Sequence, residues 1–489
     1  MNITLKTQAE SADLLIIPVP KTDELAQTLA AIAGRIGLSV TVLQTDFEAG
    51  LHEVLPVYQP TGPKVYLLGL GEKPGSLAWL KAFRKLFFNQ KNKLPTRVSV
   101  DLNGVDGDLI EAAVMGILGG EYDLRLYQTD KTGASVFFAE TGELTLLVAE
   151  ATLDVAQDAV GRAEILAEAQ RQMLDLTNAP GNYTTPQTLA DWAVASGRRC
   201  GYDVKLLNKD ELERQGLGAL LSVGRGSEQP PVLIVAEYKP DVTTHTVGLV
   251  GKGVTFDTGG ISIKTSASMH YMKSDMGGAA AVLGTMEAAA RLKLPVHLIG
   301  IVPAVENMVD GRATRPGDVI TSYLGKTIEI IDTDAEGRVI LADGLGYMIR
   351  NFQLDVLIDL ATLTGSVIAA LGYHAAGLFT QNDELAAQLI AAADRTGERL
   401  WRLPLWDVYR EDIKSDVADV KNFSGKPLAG AISAAKFLEV FTEKHPVWAH
   451  LDIAGTAFAD TEFGSQKNAT GFGIRLLVDY LRRLASSAA

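Results

Sequence analysis

Short apolar runs, interspersed with stretches of helical period, recur along this chain and constrain its fold more than any other feature. Leu14-Leu-Ile-Ile-Pro18, Lys64-Val-Tyr-Leu-Leu-Gly69, Pro231-Val-Leu-Ile-Val-Ala236, Thr246 to Gly251, Val296 to Pro303 and Asp355 to Leu360 each have the length of a buried strand. Ser39-Val-Thr-Val-Leu43 and Thr327 to Asp332 read as further strands. Between such runs lie helical segments, among them Asp23 to Gly34, Leu77 to Asn89, Asp108 to Gly119, Met276 to Leu292 and Val339 to Asn351. Strands alternating with helices favour a mostly parallel sheet with helices on both faces.

A chain of 489 residues is too long for one ordinary core. The expected architecture is α/β in two domains, each a mixed or mostly parallel sheet flanked by helices, joined by a long helix. Residues 1–152 form the first domain. Residues 153–177, rich in Ala, Glu, Gln, Leu and Arg, read as the connecting helix, which Asn178-Ala-Pro-Gly-Asn182 ends. Residues 178–489 form the catalytic domain. No clustered acid, base or nucleophile stands out in the first domain, which leaves it a structural or assembly role. Gly69-Leu-Gly71 lacks the third glycine of a dinucleotide fingerprint and reads as a turn after a strand.

Net charge is −14, which argues against nucleic acid as a partner. A single cysteine, Cys200, excludes an intramolecular disulfide and suits a reducing compartment. Met1 to Glu10 is polar, with no basic region leading into an apolar core, so no secretory leader is expected. The longest apolar stretch, Val356 to Tyr373, is interrupted by Asp359 and punctuated by glycines and threonines, so no membrane span is expected either. The expected location is the cytoplasm.

The charges that do not suit a core gather after strand ends. Ile328 to Arg338 begins as an apolar strand and breaks into Asp334, Glu336 and Arg338. Such a cluster is costly unless its charge is compensated, as a bound dication would do. Lys252 follows the strand ending at Gly251, and Asp257, Lys264 and Asp275 come after it in a glycine-rich segment. Sites in open α/β sheets form beyond the carboxyl ends of strands, so these charges are expected along one edge of one sheet. The four carboxylates Asp257, Asp275, Asp334 and Glu336 match two divalent cations, Zn²⁺ or Mn²⁺, with Mg²⁺ also compatible. H-E-x-x-H, G-x-S-x-G and P-loop motifs are all missing, which sets aside zincins, serine hydrolases of that type and P-loop nucleotidases. Taken singly, Asp275 reads as a helix cap, Lys252 as a surface charge and Arg338 as an ion-pair partner. Taken together they read as a two-metal hydrolase, for which phosphate esters are an alternative substrate.

Val250 to Lys264, Met272-Lys-Ser-Asp-Met-Gly-Gly278 and Asp332-Thr-Asp-Ala-Glu-Gly-Arg-Val339 resemble the signature segments of the leucyl aminopeptidase (cytosol aminopeptidase) family. Glu306-Asn-Met308, Ala361-Thr-Leu-Thr-Gly365 and His450-Leu-Asp-Ile-Ala-Gly455 are similar to further family segments. The resemblance implies a two-metal exopeptidase acting on peptides, with leucine often favoured. It implies that Lys252, Asp257, Asp275 and Glu336 hold one metal and Asp257, Asp334 and Glu336 the other. It makes Lys264 the electrophile and has Arg338 hold a bicarbonate general base, while a metal-activated water attacks. It puts Asp332, Gly337, Thr362, Leu363 and Gly365 around the bicarbonate and substrate. A homohexamer with peptide access from an internal cavity is also implied. Two departures stand out. Asp332 occupies a position where the family usually has Asn, and Asp257-Thr-Gly-Gly260 replaces Asp-Ser-Gly-Gly.

Overall fold

A computed structural model describes residues 1–8, 12–59, 62–130, 133, 135–461 and 463–486. Residues 9 and 10, the end of the polar N-terminal stretch, lie outside the described residues. The chain divides into two compact units, 1–168 and 169–489.

The first unit holds a six-stranded sheet. Asn2–Lys6, Glu143–Leu147, Arg97–Asp101, Leu14–Lys21 and Lys64–Glu72 run parallel in that spatial order, and Val54–Val57 closes the edge antiparallel. Trp79, Phe83 and Phe87 lie four residues apart on helix Ser76–Gln90 and stack in line, with Phe137 against Phe87. Two local expectations fail here. Ser39 to Leu43 is not a strand: Ser39 is the extended residue before helix Val40–Asp46. Its β-branched residues read locally as strand, but Leu43 within the helix and Phe47 just past its end both bury in one cluster with Leu29 and Ile32. Helix Leu25–Ile36 also runs through Gly34 and stops at Gly37, whose φ of 70° suits the left-handed end of a helix.

The second unit holds a nine-stranded mixed sheet. Trp448–Asp452, Val356–Ala361, Thr246–Gly251 and His297–Asn307 form its parallel centre. His297–Asn307 is long enough to pair twice, with Thr246–Gly251 along its first half and with Gly253–Asp257 along its second. Lys252 is the joint between those two pairings. Helices Gly277–Arg291 and Glu336–Asn351 are buried along almost their whole length and pack on this sheet. The strand expected over Thr327 to Asp332 is shorter and lies elsewhere. It covers Thr327–Glu329 and pairs with Val319–Thr321 and Val420–Lys421 in a separate three-stranded sheet. The charged residues therefore come from two sheets, not from one edge of one.

Candidate metal centre

Lys252 is built into the backbone before its side chain does anything. Its N–H donates to Leu360 O at 3.0 Å, and its carbonyl accepts from Ala279 N at 2.9 Å. The side chain, 3% exposed, brings Nζ within 2.7 Å of Asp275 Oδ2, 2.8 Å of Glu336 Oε1 and 2.9 Å of Thr362 O. Thr362 Oγ1 donates to Asp275 Oδ1 at 2.7 Å. Gly337 makes this approach possible, since a Cβ there would stand 2.5 Å from Lys252 Cε. Gly337 itself is not among the residues that line the pocket.

Lys264 organises the other half. Its Nζ lies 2.6 Å from Asp257 Oδ2 and donates to Asp334 Oδ1. Asp257 ends strand Gly253–Asp257, and its Oδ1 accepts from Gly259 N and Asn307 Nδ2, each at 2.8 Å. Gly259 takes φ of +86°, and this turn folds Lys264 back over the strand end. Thr333 ties the two charged loops together by accepting from Ser262 N at 2.7 Å and donating to Gly259 O at 2.7 Å. Glu336 lies between the two halves, in the first turn of helix Glu336–Asn351.

Oxygens of Asp257, Asp334 and Glu336 all lie within 4.8 Å of one another. Two ammonium groups among four carboxylates leave negative charge uncompensated. Glu336 Oε2 is buried with no hydrogen-bond partner. An all-oxygen carboxylate set with excess charge and an orphaned oxygen fits a divalent cation.

The electrostatics agree with a strained, cation-seeking cluster. Burial pushes Asp275 up to about 8 although Lys252 opposes it. Burial, reinforced by Asp257, pushes Asp334 up to about 7 against Lys264. Burial and the Glu336 charge raise Asp257. For Glu336 burial acts upward, but Lys252 and Lys264 outweigh it and the carboxyl lies below its usual range. Burial acts downward on both lysines, and the surrounding carboxylates outweigh it. Arg338 is brought down to about 10 by burial. Its Nη1 donates to Asn422 O at 3.0 Å, while Nε is buried without a partner.

These groups open into a pocket of about 620 Å³. Asp332, Thr362, Leu363 and Gly365 line it too, with an apolar wall that includes Met272, Ile368, Ala454 and Phe458. The Asp332 carboxylate caps its own loop by accepting from Asp334 N at 2.9 Å. Leu363 N and Thr364 N reach Asp452 Oδ1 at 3.2 and 3.4 Å, and Thr364 Oγ1 donates to Asp452 Oδ2 at 2.6 Å. Asp452 therefore sets the loop that carries Thr362.

Three supporting residues had no role in the sequence reading. Asn307 and Asp452 stand inside segments noted there, and a polar residue at the end of a buried strand was their signal. Asn422 had none. It is 0% exposed, accepts from Ile331 N at 2.8 Å and Asp332 N at 3.3 Å, and donates to Asp332 O at 2.6 Å. It thereby replaces the strand ladder that ends at Glu329.

The catalytic-domain model described as "Cytosol aminopeptidase family, catalytic domain" matches residues 172–478. The chain is 43% identical over 490 residues to a "Probable cytosol aminopeptidase" of Chlorobium limicola, covering 96% of this chain and 97% of the relative. Among solved structures it is similar to the bottromycin maturation enzyme BotP in complex with Mn, with a TM-score of 0.83 at 34% identity, covering 97% of this chain and 100% of that one. It is similar also to the cytosol aminopeptidase of Coxiella burnetii, with a TM-score of 0.83 at 32% identity over 98% of this chain and 99% of that one.

Proposed function

Because this chain belongs to the cytosol aminopeptidase family and is thus a metal-dependent aminopeptidase, we propose that it uses two divalent ions to release N-terminal residues, leucine-like ones preferred, from peptides. Lys252, Asp257, Asp275 and Glu336 are assigned to one ion. Asp257, Asp334 and Glu336 are assigned to the other, with the Asp334 backbone carbonyl. When bound, such ions supply Lewis acidity and acidify a water towards neutral pKa. The observation that carries this reading is the carboxylate cluster with the orphaned Glu336 Oε2 at its centre.

The chain's own groups divide the remaining work. Asp275 receives the substrate's free α-amino group, which accounts for exopeptidase action. Lys264, still protonated, donates to the scissile carbonyl as its oxygen gains charge. Lys252 must instead give up its proton to act as a ligand, which adjacent dications favour. Arg338 orients a bicarbonate as general base, beside Gly337, Thr362, Leu363 and Gly365, and its unpartnered buried Nε supports an anion there. Asp332 holds Asp334 in place. The wall of Met272, Ile368, Ala454 and Phe458 supports an apolar first residue. A cytoplasmic location and a homohexamer complete the reading. No helix among the described residues is long and apolar enough to cross a membrane.

The test strips the metal and titrates Zn²⁺ or Mn²⁺ back while following hydrolysis of leucine p-nitroanilide. Activity should return as two ions bind per chain. Two bound ions without cleavage of this or any small peptide would keep the site and move the reaction to another hydrolase class.

A further inference from the structure

One cation in the pocket has no part in the reading above. Lys467 precedes the short strand Asn468–Ala469, which pairs with Phe458–Asp460, and so enters the pocket beside the apolar wall. Its Nζ donates to Tyr373 Oη at 2.5 Å and lies 3.9 Å from the centroid of that ring. Tyr373, 45% exposed, follows helix Gly365–Leu371 and lines the same pocket. Lys252 and Lys264 are consumed by carboxylates, and Arg338 is 5% exposed and bound to Asn422. Lys467 forms no ion pair with a carboxylate among the described residues.

The pocket is therefore dipolar. Its lining holds the carboxylates around Lys252 and Lys264 and also a half-buried lysine whose ammonium lies beside a phenol hydroxyl. A pocket of about 620 Å³ has room for a short peptide. A short peptide has the matching polarity, with an ammonium at one end and a carboxylate at the other.

We propose that Lys467, with Tyr373 Oη beside it, forms a carboxylate subsite that selects short peptides by their free C-terminus or by an acidic side chain near the cleaved bond. The proposal rests on the aminopeptidase reading and names its substrate class. A tyrosine hydroxyl and an ammonium together present donors that can both turn to one carboxylate. Until substrate arrives they hold each other, so the ammonium is kept in the pocket.

The metal-loaded enzyme is assayed on Leu-Gly, Leu-Gly-Gly and Leu-Gly-Gly-Gly, each as free acid and as C-terminal amide. Amidated peptides with Asp in the second or third position are assayed alongside. At one length the acid should exceed the amide by about tenfold in kcat/KM, carried by KM, as expected for one charge-assisted contact. Lys467→Met should bring that ratio to about one, and Lys467→Arg should retain it. A Lys467-dependent gain confined to the amidated Asp peptides would assign the carboxylate to a side chain and support the same subsite. Equal handling of acid and amide at every length, with no gain from Asp, would overturn the proposal in the wild-type enzyme alone. A preference that survives Lys467→Met would overturn it too. Failure to cleave any peptide with two ions bound would instead bring down the aminopeptidase reading, and the subsite with it.

Discussion

The Lys264 side chain bonds to Asp257 and Asp334, both assigned as ligands, whereas the bond that holds its loop, N–H to Thr258 O at 2.9 Å, is a backbone bond that a substitution keeps. Replacing it with Ala should leave metal stoichiometry intact while turnover falls on the order of a hundredfold or more, as for other lost oxyanion donors. Metal analysis and kcat on one preparation check this, and lost metal would give Lys264 a structural role. Asn422 is the opposite case. Its side chain satisfies Ile331 N, Asp332 N and Asp332 O in a buried setting. Asn422→Ala should cost about 2–5 kcal/mol in urea unfolding, because buried backbone groups lose their partners, and should weaken metal affinity in chelator competition. That Asp257, Asp334 and Glu336 come together was legible because carboxylates in loops just after strand ends are unusual wherever they occur. Asn422 was not, because a buried amide 90 residues away in sequence looks like any polar residue until the loop closes on it.

At the scale of elements, most strands and helices followed from apolar period, and the errors share one cause. Ser39 to Leu43 and Thr327 to Asp332 have strand-like residues, and in each case a distant contact decided otherwise. Leu43 of the helix and Phe47 just past its end bury in one cluster with Leu29 and Ile32, and Asn422 takes over the hydrogen bonds beyond Glu329. The helix carrying Glu336 and Arg338 begins at Glu336, three residues before the expected Val339, which puts a carboxylate in its first turn. Further along it, Asp343 is 0% exposed and accepts from Leu220 N at 2.8 Å and Tyr323 N at 2.7 Å, joining this helix to Gly218–Val223. Burial pushes Asp343 up to about 7 despite those bonds. Its ordinary value of 3.8 applies to the unfolded chain, so the unfolded state loses its proton first as pH rises. The stability it lends is complete below about 4 and is lost as pH passes through about 7. Asp343→Asn carries no such proton. Between pH 4.5 and 7.5 the wild type should therefore lose roughly 3 kcal/mol relative to the variant, read from paired urea melts. A constant difference would mean that the carboxylate is ionised in the folded protein.

For the whole molecule, the connecting helix was legible but the division of contacts along it was not. Leu153–Asn178 is continuous, yet the compact units part between Glu168 and Ala169. Arg162 pairs with Glu111 of the first unit, whereas Gln170 donates to Thr470 and Gly471 and Gln172 to Glu287 of the second. A helix of even period gives no sign of where its partners change. Every lining residue of the candidate pocket lies between Lys252 and Lys467, so the first unit supplies none of them. The assembly role proposed for it can then be separated from metal binding. Phe83 is 0% exposed at the centre of the Trp79, Phe83 and Phe87 stack, and Phe83→Ala should cost about 3–5 kcal/mol within that unit. If the first unit carries the contacts between copies, light scattering should show a species below six times the 52.3 kDa chain, while two ions still bind per chain. A hexamer that persists although calorimetry shows the first unit weakened would move those contacts to the second unit. Loss of metal together with mass would mean that the two units do not act separately.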